Sequence, residues 1–155
     1  MARWMGFLLT VVLLAFHGSA AVAQYGGGYE YGPPSGSGVI PQLRTTRFHA
    51  AEAARTEAIR GLREHLGHVV NCLQGPRGPN YDARNDNPCQ GEGAGVIPDL
   101  EAARGQTGAG RALESSRNAN RIALDALRLT EFSRAKSEAS KVVDALDDAL
   151  KVLGQ

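Results

Sequence analysis

Residues 62–99, LREHLGHVVNCLQGPRGPNYDARNDNPCQGEGAGVIPD, contain the signals that decide how the rest of the chain folds. The stretch opens with apolar residues at helical spacing, and Gly75 and Pro76 then end that helix, because Gly terminates a helix and Pro cannot continue one. A long loop rich in Gly, Pro and Asn follows, and Cys72 and Cys89 flank its first part. A loop of this length in a small domain is unusual unless it is functional or tied down.

The first 23 residues, MARWMGFLLTVVLLAFHGSAAVA, have the three parts of a secretory signal peptide. Arg3 precedes an apolar run, and small residues lead to a predicted cleavage before Gln24. The apolar run from Met5 to Phe16 has 12 residues, whereas about 20 are needed to cross a bilayer. We therefore expect a periplasmic or secreted, soluble protein with no stable membrane insertion after cleavage.

The compartment determines how the two cysteines are interpreted. Exported proteins commonly oxidise a cysteine pair, so we predict a Cys72–Cys89 disulfide that fastens the loop to the end of the helix. The alternative is a pair of free thiols acting as soft metal ligands, which would need a reducing compartment or a bound metal. The side chains of Asp82, Asn85, Asp86 and Asn87 are predicted to form turns, since their spacing does not match a calcium-binding EF-hand.

The net charge argues against one class of partner. Removal of residues 1–23 takes away Arg3 and no acidic residue, so the 17 Lys and Arg of the whole chain become 16, equal to its 16 Asp and Glu. A neutral chain lacks the basic face that displaces counterions from nucleic acid. We therefore expect no nucleic-acid partner.

Hydrophobic spacing predicts helices and no strands. Residues 24–44 are interpreted as a disordered leader rich in Gly, Tyr and Pro, because such a composition buries too little apolar surface to fold. The first helix is predicted to begin at Thr45 or Thr46, which can cap it, and to continue to about Leu73. Asp99 is predicted to cap a short helix from Leu100 to Arg104.

The C-terminal third predicts two more long helices. One extends from Arg111 to about Leu129, and the other, capped by Thr130, from Glu131 to Leu153. The last helix carries a strict heptad seam, formed by Phe132, Ala135, Ala139, Val142, Leu146, Ala149 and Leu153. The fold class is therefore all-α: a small antiparallel bundle of three long helices and a short one, over residues 45–155, with a disulfide-pinned loop.

The candidate metal ligands are His65 and His68. They are three residues apart, so both rings can reach one ion from the same helix face, and a carboxylate such as Glu64, or one from the loop, could join them. Imidazole suits zinc and copper, so one such ion is the predicted cofactor. His49 is excluded, because 16 residues along a continuous helix place it about 24 Å away. In the alternative hypothesis the pair binds no metal and only supports the loop by bonding to its carbonyls.

The sequence carries no strong signal for catalysis. It has no G-x-S-x-G motif, and oxidised Cys72 offers no thiol nucleophile. We expect a non-enzymatic protein that binds a metal ion or a partner. A structural module is the rival hypothesis, with homo- or hetero-association through the last helix.

The string HLGHVVNCLQG…NPCQGEGAG…IPDL resembles a pattern in small, uncharacterised exported proteins of Gram-negative bacteria, over about half of the chain beyond residue 23. The Ala-rich helices are also similar to the periplasmic small metal-binding protein, a His-rich helical bundle. This chain departs from that protein where helical histidines are replaced, at Ser115, Asn118, Asn120 and Asp147. The resemblance therefore implies at most one metal site, at His65 and His68.

Overall fold

The computed structural model describes residues 38–155, which form helices and loops without strands. The helices are α1 (Val39–Arg55), α2 (Ile59–Gln74), α3 (Val96–Ala102), α4 (Ala109–Arg128) and α5 (Phe132–Val152). The predicted signal peptide and residues 24–37 of the predicted leader lie outside the described residues. None of the helices within 38–155 has both the length and the apolar character of a membrane span.

The four long helices form a ring of contacts. α1 packs against α2 and α5, α4 packs against α5 and α2, and the short α3 lies mainly on α4. The all-α prediction is confirmed. The bundle has four long helices where three were predicted, because the predicted helix from Thr45 to Leu73 is two helices.

The helical conformation is interrupted at residues 56–58, and this break separates α1 from α2. Thr56 leaves helical conformation with ψ 153°, and Lys136 Nζ, from α5, donates to the Thr56 carbonyl at 3.0 Å. A Cβ at Gly61 would lie 2.8 Å from Thr56 Oγ1, so this glycine leaves room for the Thr56 side chain. The break is thus accompanied by a tertiary contact from α5, which a prediction from local spacing cannot include.

α1 also begins earlier than predicted, at Val39. Pro41 is the third helical residue, a position where its missing N–H costs nothing, since the first turn has no intrahelical acceptor for it. Thr45 and Thr46 are buried inside the helix. Thr46 Oγ1 donates to the Gln42 carbonyl at 2.6 Å, so its predicted role as an N-cap was wrong.

Two other predicted caps were wrong. The N-cap of α3 is Gly95, and Asp99 lies in the first turn. The Asp99 carboxylate instead accepts hydrogen bonds from the Ala94 N–H at 3.0 Å and from Gln42 Nε2 at 2.6 Å. Residue 131, not Thr130, is the N-cap of α5, and it makes no side-chain cap bond.

The heptad seam of α5 packs inside the bundle. Ala135, Ala139, Val142, Leu146 and Ala149 are fully buried, which confirms the predicted core face. Their small side chains allow α4 and α5, the pair in most extensive contact, to pack closely. The chain's own helices cover this seam. Association through the last helix therefore stays a prediction, and it would have to use the outer faces of α5.

The predicted disulfide is confirmed. Cys72 and Cys89 are bonded, with their Cα atoms 5.3 Å apart. Asn71, 1% exposed, holds the same loop: its Nδ2 donates to the carbonyls of Asp82, Asn85 and Asp86 at 2.9–3.2 Å. The Asn71 Oδ1 accepts the N–H of Asp82 at 3.0 Å. One buried amide and one disulfide therefore attach the loop to α2.

The predicted turn formers behave as expected in two places. Asp82 Oδ1 accepts the backbone N–H of Arg84 at 3.0 Å, and Asn87 Oδ1 accepts that of Cys89 at 3.2 Å. Each is a local side-chain-to-backbone bond across two residues, the pattern of an Asx-turn.

Replacing Gly75 by alanine should destabilise the fold by about 2–4 kcal/mol, through backbone strain and a steric clash. Gly75 has φ +66°, and a Cβ there would lie 1.7 Å from the carbonyl oxygen of Ala94. Gly91→Ala is the matched control, because Gly91 has φ +87° with nothing within 4 Å of its Cβ position. Urea unfolding of both variants measures the difference. Equal losses of unfolding free energy in the two variants would mean that the close approach of residues 75 and 94 does not contribute to the effect of Gly75→Ala.

Candidate metal centre

Three histidines meet where α1 and α2 lie side by side. His65 and His68 are one turn apart on α2, as predicted, and His49 lies across from them on α1. His49 and His65 are equally far along the chain from residue 57, the middle of the break. In an antiparallel helix pair such residues face each other, which brings His49 to the pair.

The side-chain nitrogens converge on His49. Its Nδ1 lies 3.3 Å from Nδ1 of His65 and 3.3 Å from Nδ1 of His68. One ligand nitrogen from each ring can be chosen so that all three lie within 4.8 Å of one another. The exclusion of His49 was wrong, because it assumed one continuous helix.

The cluster lies at the edge of the core. His68 is 9% exposed, whereas His49 and His65 are partly buried. Burial, and after it the neighbouring His68 and His65, together lower the pKa of His49 to about 4. Burial, then His65, also lowers the pKa of His68, against the opposing effect of Asp86 and Glu64. His49 and His68 are therefore neutral near pH 7, as a metal ligand must be.

Hydrogen bonding alone satisfies this arrangement poorly. A ring nitrogen of neutral imidazole has either one proton or one lone pair, so it makes one well-directed hydrogen bond. His49 Nδ1 nevertheless has two ring nitrogens at 3.3 Å. A metal ion between the rings would accept one lone pair from each, so the geometry suits a shared ion better than a hydrogen-bonded pair.

The spacing also fits a transition metal. On a tetrahedral ion with metal–nitrogen bonds of about 2.0–2.1 Å, two ligand nitrogens are about 3.3 Å apart. Both separations at His49 have this value. All three ligand nitrogens lie within 4.8 Å of one another, so a shared ion would require His65 and His68 to move closer together if their separation is at the upper end of that range. Zinc and copper both accept imidazole donors.

The disulfide-pinned loop lies beside the site. A Cβ at Gly67 would lie 2.8 Å from the Asn85 side chain, and Asn71 holds the carbonyl of Asp86 at 3.2 Å. These two α2 residues lie on either side of His68 in the sequence, so the loop lies against this part of the helix. Its Asp86 carboxylate is near enough to raise the pKa of His68, against the larger lowering by burial.

The alternative hypothesis assigned the histidines to the loop carbonyls. The ring-nitrogen hydrogen bonds of His65 and His68 within residues 38–155 go instead to His49. Asn71 bonds the loop carbonyls. Glu64, the suggested carboxylate ligand, is exposed beside the cluster and is not one of the grouped ligands.

The stability of the metal-free protein should depend on His49 and on pH. Between pH 6.5 and about pH 4, His49 binds a proton in the unfolded chain but not in the folded protein. The unfolded state therefore gains protons and the free energy of unfolding falls as pH falls. Chemical unfolding at several pH values, after chelator treatment, measures the slope.

The comparison protein is His49→Gln. Its free energy of unfolding should fall less steeply with decreasing pH over the same pH range. Burial raises the pKa of Glu92, which has the opposite effect on the slope, but this contribution is common to both proteins and cancels in the difference. Identical slopes would contradict a neutral, partly buried His49.

Comparisons with protein-family models, with curated proteins and with solved structures found no match to this chain.

Proposed function

We propose that the protein binds one zinc or copper ion per chain through His49, His65 and His68, and that it does so as an exported, non-enzymatic protein. The observation that carries this proposal is the position of His49 Nδ1, 3.3 Å from one nitrogen of each partner ring. Two imidazoles from α2 and one from α1 supply three nitrogen donors to a single ion.

The surroundings of the cluster support the proposal. The lowered pKa values of His49 and His68 leave their lone pairs free near neutral pH. Both cysteines are in the disulfide, so the donors are nitrogen rather than sulfur, which suits copper(II) or zinc. The disulfide is also compatible with an oxidising compartment, in agreement with the signal peptide expected from residues 1–23.

The test is a metal titration of the oxidised, chelator-treated protein, with the mass of the complex measured by native mass spectrometry. We expect one zinc or one copper ion per chain, and no bound ion in the His49→Ala/His65→Ala/His68→Ala variant. Arg60→Ala is the matched control, because Arg60 is exposed on α2 outside the cluster. A wild-type protein that takes up neither metal, or a triple variant that binds as wild type does, would contradict the proposal.

A further inference from the structure

A cavity of about 400 Å³ lies between the end of α2, the loop, α3 and α4. Its lining includes Gln74, Arg77, Pro79, Ile97, Pro98 and Asn120 and none of the three histidines. The volume is within the range of small-molecule sites, about 300–1,000 Å³. We propose that this cavity binds a small organic carboxylate with an apolar body, independently of the metal site.

The walls of the cavity are fixed by close backbone packing. Gly75 and Gly95 both have positive φ, and a Cβ at Gly95 would lie 2.6 Å from the Gly75 nitrogen. A Cβ at Gly78 would lie 2.3 Å from Gln74 Cβ. The end of α2 and the segment before α3, which both supply lining residues, are thus held against each other at Gly75 and Gly95.

Gln74 joins three walls of the cavity and is 7% exposed. Its Oε1 accepts the backbone N–H of Asn80 at 2.8 Å, and its Nε2 donates to Asn120 Oδ1 at 3.0 Å. The Asn120 oxygen is therefore occupied, whereas its NH₂ group retains donor capacity. An amide donor held in this way suits a ligand that presents acceptor oxygens.

The charges in the lining favour the same ligand. Glu101, an acidic residue of the lining, is paired with Arg117. Within residues 38–155 the structure gives Arg77 no ion pair. The lining thus carries a net positive charge at Arg77. A guanidinium and an amide N–H together bind a carboxylate by charge-assisted hydrogen bonds.

The other part of the lining is apolar. Pro79, Ile97 and Pro98 contribute rings and a branched chain from the loop and α3. Burial of hydrocarbon against such a surface is favourable in proportion to its area. A carboxylate attached to a chain or ring of several carbons would use both parts of the cavity.

The test is a heteronuclear NMR titration of the oxidised protein with octanoate and, separately, with octanol. We expect saturable octanoate shifts in the backbone amides of Gln74, Asn80 and Asn120, and octanol affinity at least about tenfold lower, since it lacks the charge. Arg77→Gln should lower octanoate affinity about fivefold, a modest effect because Arg77 is exposed. Arg104→Gln, an exposed residue outside the cavity, should not change it.

Three results would overturn the proposal. They are the absence of a saturable shift, shifts confined to residues outside the cavity, and equal affinity for octanoate and octanol. Because the titration needs no metal, its outcome is separate from that of the metal titration.

Discussion

Replacement of His49 by alanine should lower the zinc or copper affinity of the protein at least about 100-fold. Loss of an outer-shell partner already costs 10–100-fold in metal affinity, and loss of a direct ligand should cost no less. His49 has the largest expected effect because its nitrogen is 3.3 Å from both other rings. Competition with a chromophoric chelator measures the affinity.

Arg47→Ala is the control for a change in the same helix. Arg47 lies two residues from His49 and makes a surface ion pair with Asp147 at 2.7 Å, a kind of pair that contributes about 0–1 kcal/mol. The Arg47→Ala variant should therefore bind metal with the affinity of the wild-type protein. Helical circular dichroism must be unchanged in both variants. A His49→Ala protein with wild-type affinity would mean that the site is the α2 pair alone.

Removal of the disulfide should produce a large loss of stability. The Cys72→Ala/Cys89→Ala variant should unfold with a free energy about 3 kcal/mol lower, because the bond joins two residues 17 positions apart in the sequence. The whole stability of a domain is about 5–15 kcal/mol, so this is a large fraction. Urea unfolding monitored by circular dichroism gives the value.

The reduced wild-type protein provides the control, since it lacks the bond but retains both sulfurs. It should lose most of the same free energy. The variant should also bind metal more weakly, because this bond and Asn71 hold the loop that places Asp86 near His68. A loss below about 1 kcal/mol would mean that Asn71 alone holds the loop.

Local signals predicted the parts of the fold that depend on neighbouring residues. Gly75 and Pro76 end α2 as expected, and the compartment rule predicted the Cys72–Cys89 bond. The heptad spacing of α5 identified its buried face, because helix periodicity alone decides which residues share a side. These features needed no knowledge of the tertiary structure.

The candidate site was only partly predictable. The break after Arg55 has no Pro or Gly within it, and one of its hydrogen bonds comes from Lys136, 80 residues beyond Thr56 in the chain. Without that break, His49 cannot reach His65. One sequence signal did exist: the predicted helix from Thr45 to Leu73 is longer than the usual 8–20 residues.

Asn71 is a second residue whose role could not be predicted from the sequence. It lies between apolar residues of a helix, and its spacing does not distinguish it from an ordinary polar helix residue. Its role as the amide that binds three loop carbonyls depends on where the loop returns. Such a role becomes visible only when both segments are placed together.

X-ray absorption spectroscopy of the zinc-loaded, oxidised protein tests the three-histidine site, because it counts and identifies the atoms bound to the ion. We expect three imidazole nitrogens at about 2.0–2.1 Å and no sulfur. We also expect one fewer imidazole, or no bound zinc, in His49→Ala. A spectrum with two imidazoles in both proteins, or with sulfur bound to the ion, would contradict the three-histidine site.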